Sequence, residues 1–413
     1  MSLTGRDLIT MSDLSETEIG LLMDTAATMA EAIGLDDAST RQPAERLDRI
    51  MATCFFEPST RTRLSFESAM LRLGGSVLGF ADPDASSAAK GETLADTART
   101  VGGYADLIVI RHPKMGAAKV AADAASVPVI NAGDGAHAHP TQTLTDLFCI
   151  KRHKGRLDGL TVGLMGDLKY GRTVHSLGAV MARLGSEVIC IAPEQLQMPK
   201  RYLDEIEDLS GERPHEVTSS DEALAELDVL YATRVQVERF PEAEQATARE
   251  IAKDFVVNAA LLDRAPEDMI VMHPLPRVDE IAPEIDDDPR AVYFEQAHGG
   301  VPVRMALVSH LLGVVEQKRG PFRGLSAGKA TGRHEATASP GRARREAERE
   351  QAGSEAGRHT HGTRPEKIPA SADIKCRNDQ CITFDERFLA GFFHRYPDGG
   401  TECAYCEEPV EER

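Results

Sequence analysis

From its start to about residue 318 the chain alternates short apolar runs with stretches whose apolar residues recur at helical spacing. "RIMATCFF" (49–56), "DLIVI" (106–110), "VPVIN" (127–131), "LTVGLMG" (160–166), "EVICIA" (187–192), "DVLYAT" (228–233) and "MIVMHP" (269–274) read as strands. Their apolar character is continuous, not alternating, as a parallel sheet covered on both faces requires. Between them lie helical patterns such as "STRTRLSFESAMLRLG" and "GRTVHSLGAVMARLG", each closed by a glycine. This order predicts an α/β protein with two doubly wound parallel-sheet domains, over residues 1–145 and 146–292. A helix over about 293–318, including "GVPVRMALVSHLLGVVEQK", returns to close the core.

The pattern stops there. Residues 319–372 hold one aromatic, Phe322, and few large aliphatics. Such a segment buries too little apolar surface to offset the entropy of ordering, so it reads as a flexible linker, with "RARREAEREQA" as a transient helix. Residues 373–413 resume order: Phe384, Phe388, Phe392 and Phe393 lie beside four clustered cysteines. So short a segment makes a poor core alone, and a metal staple is expected.

Composition adds limits. The 413 residues, 41% hydrophobic and 27% charged, suit an ordinary soluble protein. A net charge of −19 argues against a general nucleic-acid binder. No apolar run approaches the ~20 residues of a membrane span, and the N-terminus lacks signal-peptide features. Of seven cysteines, Cys54, Cys149 and Cys190 stand singly in apolar stretches. That distribution indicates a reducing compartment, and the cytoplasm is the expected location.

The candidate chemistry begins at "EPSTRTR" (57–63). A buried strand ends at Phe56, and Ser59 sits at the N-cap position of the following helix. Helix N-termini carry unpaired N–H groups and partial positive charge, which suits a phosphate. Arg61 and Arg63 oppose that dipole, a placement an anion would relieve. A capped helix with two surface arginines is the simpler alternative. "VIRHP" then places Arg111 at the end of another strand, and "NAGDGAHAHPTQT" places His139 and Gln142 on the next strand-to-helix turn. Ligands of open α/β sheets gather at the carboxyl ends of strands, so these loops should converge. The second half repeats the arrangement with Arg172 and Thr173 in "GDLKYGRTVHS", Arg234 and Gln236 in "TRVQVER", and "MHPLPR". The two prolines of the last would hold carbonyls in a rigid, extended turn. Guanidinium forks match phosphates and carboxylates, so one half reads as a phosphate site and the other as a carboxylate site. Structural salt bridges are the alternative for Arg172 and Arg234.

In the tail, four residues separate Cys376 from Cys381, and two separate Cys403 from Cys406. Those spacings form two knuckles of a tetrahedral structural zinc site; four free thiols are the alternative.

With these residues assembled, the first 318 or so residues resemble the catalytic chain of the aspartate carbamoyltransferase family. "PSTRTR", "KGETLADT", "RHP", "NAGDGAHAHPTQT", "GDLKYGRTVHS", "TRVQVER" and "HPLPRVDE" occur in that family's order and spacing. The resemblance implies condensation of carbamoyl phosphate with L-aspartate to N-carbamoyl-L-aspartate and phosphate, in pyrimidine synthesis. It implies that Ser59, Thr60, Arg61 and Thr62 hold the phosphate. Arg61, Thr62, Arg111 and His139 would polarise the carbamoyl group, and Gln142 with the carbonyls of Leu275 and Pro276 would grip its amide. Lys90, Arg172, Thr173, Arg234 and Gln236 would place aspartate. Ser86 and Lys90 match a loop that enters a neighbouring subunit's site, which implies a homotrimer or a dimer of trimers. No catalytic metal is implied. The ornithine carbamoyltransferases share "STRTR" and the HP-x-Q turn, but typically carry a cysteine where this chain has "HPLP" and an SMG loop where it has "TRVQ". The tail resembles the zinc domain of the aspartate carbamoyltransferase regulatory chain, through "CRNDQCIT" and "CAYCEE". That chain's nucleotide-binding domain has no counterpart here, so ATP and CTP are not expected to act through a dedicated domain. A nucleic-acid-binding ribbon or an inactive scaffold are the readings from other classes; the tail's acidic surroundings and the complete set of site residues oppose them.

Overall fold

The computed structural model describes residues 2–42, 46–82, 90–235, 245–314, 366–369, 376–384, 391–396 and 400–410. Two all-parallel sheets form its frame. The first contains β1 (Ile50–Phe55), β2 (Ser76–Phe80), β3 (Leu107–His112) and β4 (Val129–Asp134) in the order β2-β1-β3-β4. The second contains β5 (Thr161–Met165), β6 (Glu187–Ile191), β7 (His215–Val217), β8 (Val229–Ala232) and β9 (Ile270–Met272) in the order β7-β6-β5-β8-β9.

All seven apolar runs fall on strands of these sheets, because their side chains are buried on both sheet faces. β4 and β8 are buried at every residue, and β1 at every residue after Ile50. Each large aliphatic or aromatic side chain so buried contributes about 1.5–3 kcal/mol. β2 and β7 carry no such run. They are edge strands with exposed or half-buried residues, so the continuous-run signal misses them.

Two helices join the sheets. α5 (Pro140–Lys154) leads from β4 to β5, and α10 (Tyr293–Leu311) returns to pack on α5, α1 (Glu16–Ala32) and α2 (Thr60–Arg72). A single apolar cluster therefore runs from Met51, Phe55 and Leu107 through Leu147 and Leu307 to Val162 and Tyr231. α10 is buried almost all round, so its polar residues Gln296 and Arg304 are conspicuous.

Order resumes earlier than expected. Glu366–Pro369, inside the segment read as a linker to 372, forms β10. It pairs antiparallel with β11 (Phe392–Arg395), which pairs with β12 (Thr401–Cys403). "EKIP" has one apolar side chain, too weak a pattern to announce a strand, yet Ile368 packs against the cluster that holds the cysteines. The rest of the linker, including "RARREAEREQA", lies outside the described residues, as does Phe388.

This small sheet is seated on the first domain. Met115 N–H donates to Gln380 O at 3.0 Å, and Ile382 N–H donates to Met115 O at 2.9 Å. Cys381, Ile382, Phe393 and Tyr405 share one apolar cluster with Ile108, Ala117 and Val120. Gly116 makes the approach feasible: its φ is +81°, and a Cβ there would lie 2.6 Å from Tyr405 O. No helix among the described residues is long and apolar enough to cross a membrane.

Candidate active site

In each sheet the chain order reverses once, between β1 and β3 and between β5 and β8, and ligands of such sheets sit at the carboxyl ends of the strands flanking that point. Both points open into one cleft of about 620 Å³ between the sheets.

The β1 end supplies Ser59, Thr60, Arg61 and Thr62, all lining the cleft at the N-terminus of α2. Ser59 is the N-cap by position, but its side chain makes no capping hydrogen bond. Arg61 lies beside Arg111; partial burial, then the Arg111 charge, hold its guanidinium below the usual value. Arg63 does not line the cleft; it pairs with Glu67 at 2.7 Å one turn along α2.

Arg111 ends β3 opposite Phe55, donates to Ala132 O at 3.3 Å, and lies 3.3 Å from Glu57. Gly133 is needed here. With φ +119°, a Cβ would lie 2.9 Å from Arg111 Nη1 and 3.3 Å from Arg172 Nη2. Arg172, at the first turn of α6 (Arg172–Arg183) in the other sheet's half, reaches across to donate to Gly135 O. Two guanidinium groups from different sheets thus meet over one glycine.

His139 is the N-cap of α5 and is buried. Burial, followed by the charges of Arg172, Arg111 and Arg304, holds its imidazole well below the usual histidine value. A neutral ring, with one donor and one acceptor nitrogen, is the consequence. Gln142 follows one turn on, and Thr173, Arg234, Leu275 and Pro276 complete the predicted residues that line the cleft. The turn at 273–276 is not extended as its prolines suggested. Leu275 has φ +54° and precedes a cis Leu275–Pro276 bond, while His273 Nδ1 accepts from Leu275 N–H at 2.8 Å.

Lys90 is exposed and does not line the cleft of its own chain. Ser86 and Gln236 lie outside the described residues.

Sequence reasoning missed a polar layer beneath the cleft. Arg304 lines it from α10, 3% exposed, donating to Gly300 O at 2.9 Å and stacking over Phe66. Burial lowers its guanidinium to about 10. Asp146, wholly buried on α5, accepts from Gln142, Gln296 and Tyr231. Burial pushes its carboxyl up to about 7, against the pull of those bonds and of Arg304. Both were legible only as polar residues inside apolar helical patterns.

The four tail cysteines form a separate candidate metal centre. Their sulfurs lie within 4.8 Å of one another, and Cys381, Cys403 and Cys406 are buried. Cys376 and Cys406 are 3.6 Å apart, Cys381 and Cys403 3.9 Å. Metal–sulfur bonds of about 2.3 Å in a tetrahedron require roughly that sulfur spacing, so the set fits a four-thiolate ion.

Comparison with known proteins places this geometry. Residues 6–152 match the carbamoyl-phosphate-binding domain of the aspartate/ornithine carbamoyltransferases, and residues 158–311 match their aspartate/ornithine-binding domain. The aspartate carbamoyltransferase catalytic subunit of Thermococcus gammatolerans is 53% identical over 315 residues, which are 76% of this chain and all of that one. The chain belongs to the aspartate carbamoyltransferase family. The Halorubrum lacusprofundi catalytic subunit is 49% identical, over 76% of this chain and 97% of its own. Among solved structures, Trypanosoma cruzi aspartate transcarbamoylase in complex with N-(phosphonacetyl)-L-aspartic acid superposes with a TM-score of 0.70. It is 42% identical, over 75% of this chain and 97% of that one. The catalytic subunit of M. jannaschii aspartate transcarbamoylase gives 0.69 at 43% identity, over 76% of this chain and all of that one. Residues 368–413 match the metal-binding domain of the aspartate carbamoyltransferase regulatory chain. Segments matching both catalytic domains and the metal-binding domain of the regulatory chain therefore stand in one polypeptide.

Proposed function

We propose that the protein is an aspartate carbamoyltransferase, converting carbamoyl phosphate and L-aspartate to N-carbamoyl-L-aspartate and phosphate in pyrimidine synthesis. The observation that carries this is the meeting of Arg61, Arg111, Arg172 and Arg234, from four strand ends of two sheets, in one cleft. Phosphate is assigned to the α2 N-terminus with Ser59, Thr60, Arg61 and Thr62, where helix N–H groups and a guanidinium favour an anion. The carbamoyl oxygen is assigned to Thr62, Arg111 and neutral His139, and its amide to Gln142 and the carbonyls of Leu275 and Pro276. Arg172, Thr173, Arg234 and Gln236 are assigned to the aspartate carboxylates.

The aspartate amine attacks the carbamoyl carbon, and charge builds on the carbonyl oxygen. Each fixed donor aimed there contributes about 3–4 kcal/mol. The carbon–oxygen bond to phosphate then breaks, Arg61 stabilises the departing anion, and a phosphate oxygen accepts the amine's proton. Binding the second substrate between two sheets favours closure that holds the reactants together.

An anionic acceptor fits the cationic second half; ornithine's ammonium would be repelled by Arg172 and Arg234. The domains divide as 1–145 and 146–292, with the return segment 293–318, a linker that ends at β10 and not at 372, and the metal module from β10 onward. The module's ion is zinc, by the donor set of four cysteines. Ser86 and Lys90 act in a neighbouring subunit of a trimer, in keeping with Lys90 standing outside its own cleft. The assay is release of carbamoyl aspartate against citrulline from the purified protein. Citrulline as the main product would overturn the reading.

A further inference from the structure

The polar layer beneath the cleft is organised around one carboxylate. Asp146 Oδ1 accepts from Gln142 Nε2 at 2.8 Å and from Gln296 Nε2 at 2.7 Å. Its Oδ2 accepts from the Tyr231 hydroxyl, on the second sheet, at 3.0 Å. An ionised carboxylate offers acceptors only, so each glutamine must turn its NH₂ toward Asp146 and its carbonyl away.

For Gln296 the consequence is visible. Its Oε1 accepts from His273 N–H at 2.9 Å and so fixes the entry of the turn that presents Leu275 and Pro276 to the cleft. For Gln142 the same constraint leaves Oε1 as the end directed at the cleft that it lines. One buried group thereby sets the polarity of two walls.

We propose that Asp146 is a specificity-determining positioning residue, which makes the carbamoyl end of the cleft a set of acceptors and so selects an acyl phosphate carrying –NH₂ over one carrying –CH₃. This rests on the carbamoyl assignment proposed above. Two N–H groups of the substrate meet carbonyl oxygens of Gln142, Leu275 and Pro276. A methyl group in their place leaves those oxygens without a partner, which a site built for hydrogen bonding penalises strongly. Asparagine at 146 offers a donor as well as an acceptor, so Gln142 is no longer held in one orientation and can turn its NH₂ toward the substrate's own.

The test uses the full chain at about pH 8.5, above the range in which Asp146 takes up a proton. The KM for carbamoyl phosphate and the competitive inhibition constant of acetyl phosphate are measured for the parent protein and Asp146→Asn. The expected result is a rise of about tenfold or more for carbamoyl phosphate, with acetyl phosphate changed less than about threefold. Equal changes in both constants, as a purely structural role would give, or no change in either, overturn the proposal. If Asp146→Asn does not fold, Gln296→Met removes the relay to His273 while leaving the carboxylate. It should weaken carbamoyl phosphate selectively, and an equal loss for both ligands refutes the idea. Failure of the carbamoyl assignment itself is distinct, because the parent protein would then form no carbamoyl aspartate.

Discussion

Arg61 and His175 show what a single side chain does in this molecule. Arg61 lines the cleft from the first turn of α2, and its side chain makes no hydrogen bond or ion pair to another element among the described residues. Arg61→Ala should lower kcat/KM by about 100-fold or more, the scale of one lost charge-stabilising donor, with an unchanged circular dichroism spectrum. A variant within threefold of the parent would remove Arg61 from the mechanism. His175 is buried, donates from Nε2 to Leu168 O at 2.7 Å, and stacks on Tyr202 with centroids 3.7 Å apart. Burial lowers its imidazole from 6.5 to about 4. Because the folded value is the lower one, the unfolded chain takes up the proton first as pH falls. Stability from this group is complete above pH 6.5 and is lost on going down to about 4, by about 3 kcal/mol. Denaturant titrations across that range should show a shallower acid loss in His175→Gln than in the parent.

At the scale of elements, the docking of the metal module on the first sheet's outer face is the feature no periodicity announced. It depends on backbone pairing at Met115, on Lys114 Nζ donating to Asp379 O at 3.1 Å, and on Arg201 pairing with Glu408 at 2.7 Å. His137 lies between Asp134 at 2.9 Å and Glu407 at 3.1 Å, so the module also touches the loop that carries His139. Gly116, the N-cap of α4 (Ala117–Ala124), lies directly against Tyr405 in this contact. Gly116→Ala adds a Cβ at positive φ against Tyr405 and should cost about 1–3 kcal/mol, read as lower thermal stability and faster proteolysis of the tail. An unchanged tail would mean that the contact yields without cost. The strands themselves were legible because burial on both faces writes a continuous apolar run. β2, β7 and β10 were not, because most of their side chains are exposed or half-buried, which removes that constraint.

For the whole molecule, two experiments address assembly. If Ser86 and Lys90 serve a neighbouring subunit, Lys90→Ala and Arg61→Ala proteins are each nearly inactive. Mixed after reversible dissociation, they should regain activity, because some sites then receive Arg61 from one chain and Lys90 from another. No recovery in mixtures of demonstrated hybrids would mean that each site is complete within one chain. Removing the metal with a chelator should loosen the four-cysteine module, whose sulfurs lie within 4.8 Å of one another and would lose the ion that holds them. The expected outcome is retained carbamoyl transfer with a lower native mass; loss of transfer at unchanged mass would place the module in catalysis.

By itself the sequence determined the two parallel sheets, the strand ends that carry Arg61, Arg111, Arg172 and Arg234, and the cysteine knuckles. Each of these follows from local pattern or spacing, which burial and ligand geometry impose directly. Only the tertiary structure decided that Arg111 and Arg172 meet over Gly133, that Asp146 and Arg304 underlie the cleft, and that the tail sits against Met115. Those depend on which distant segments share one volume, and such neighbours leave no period in the chain.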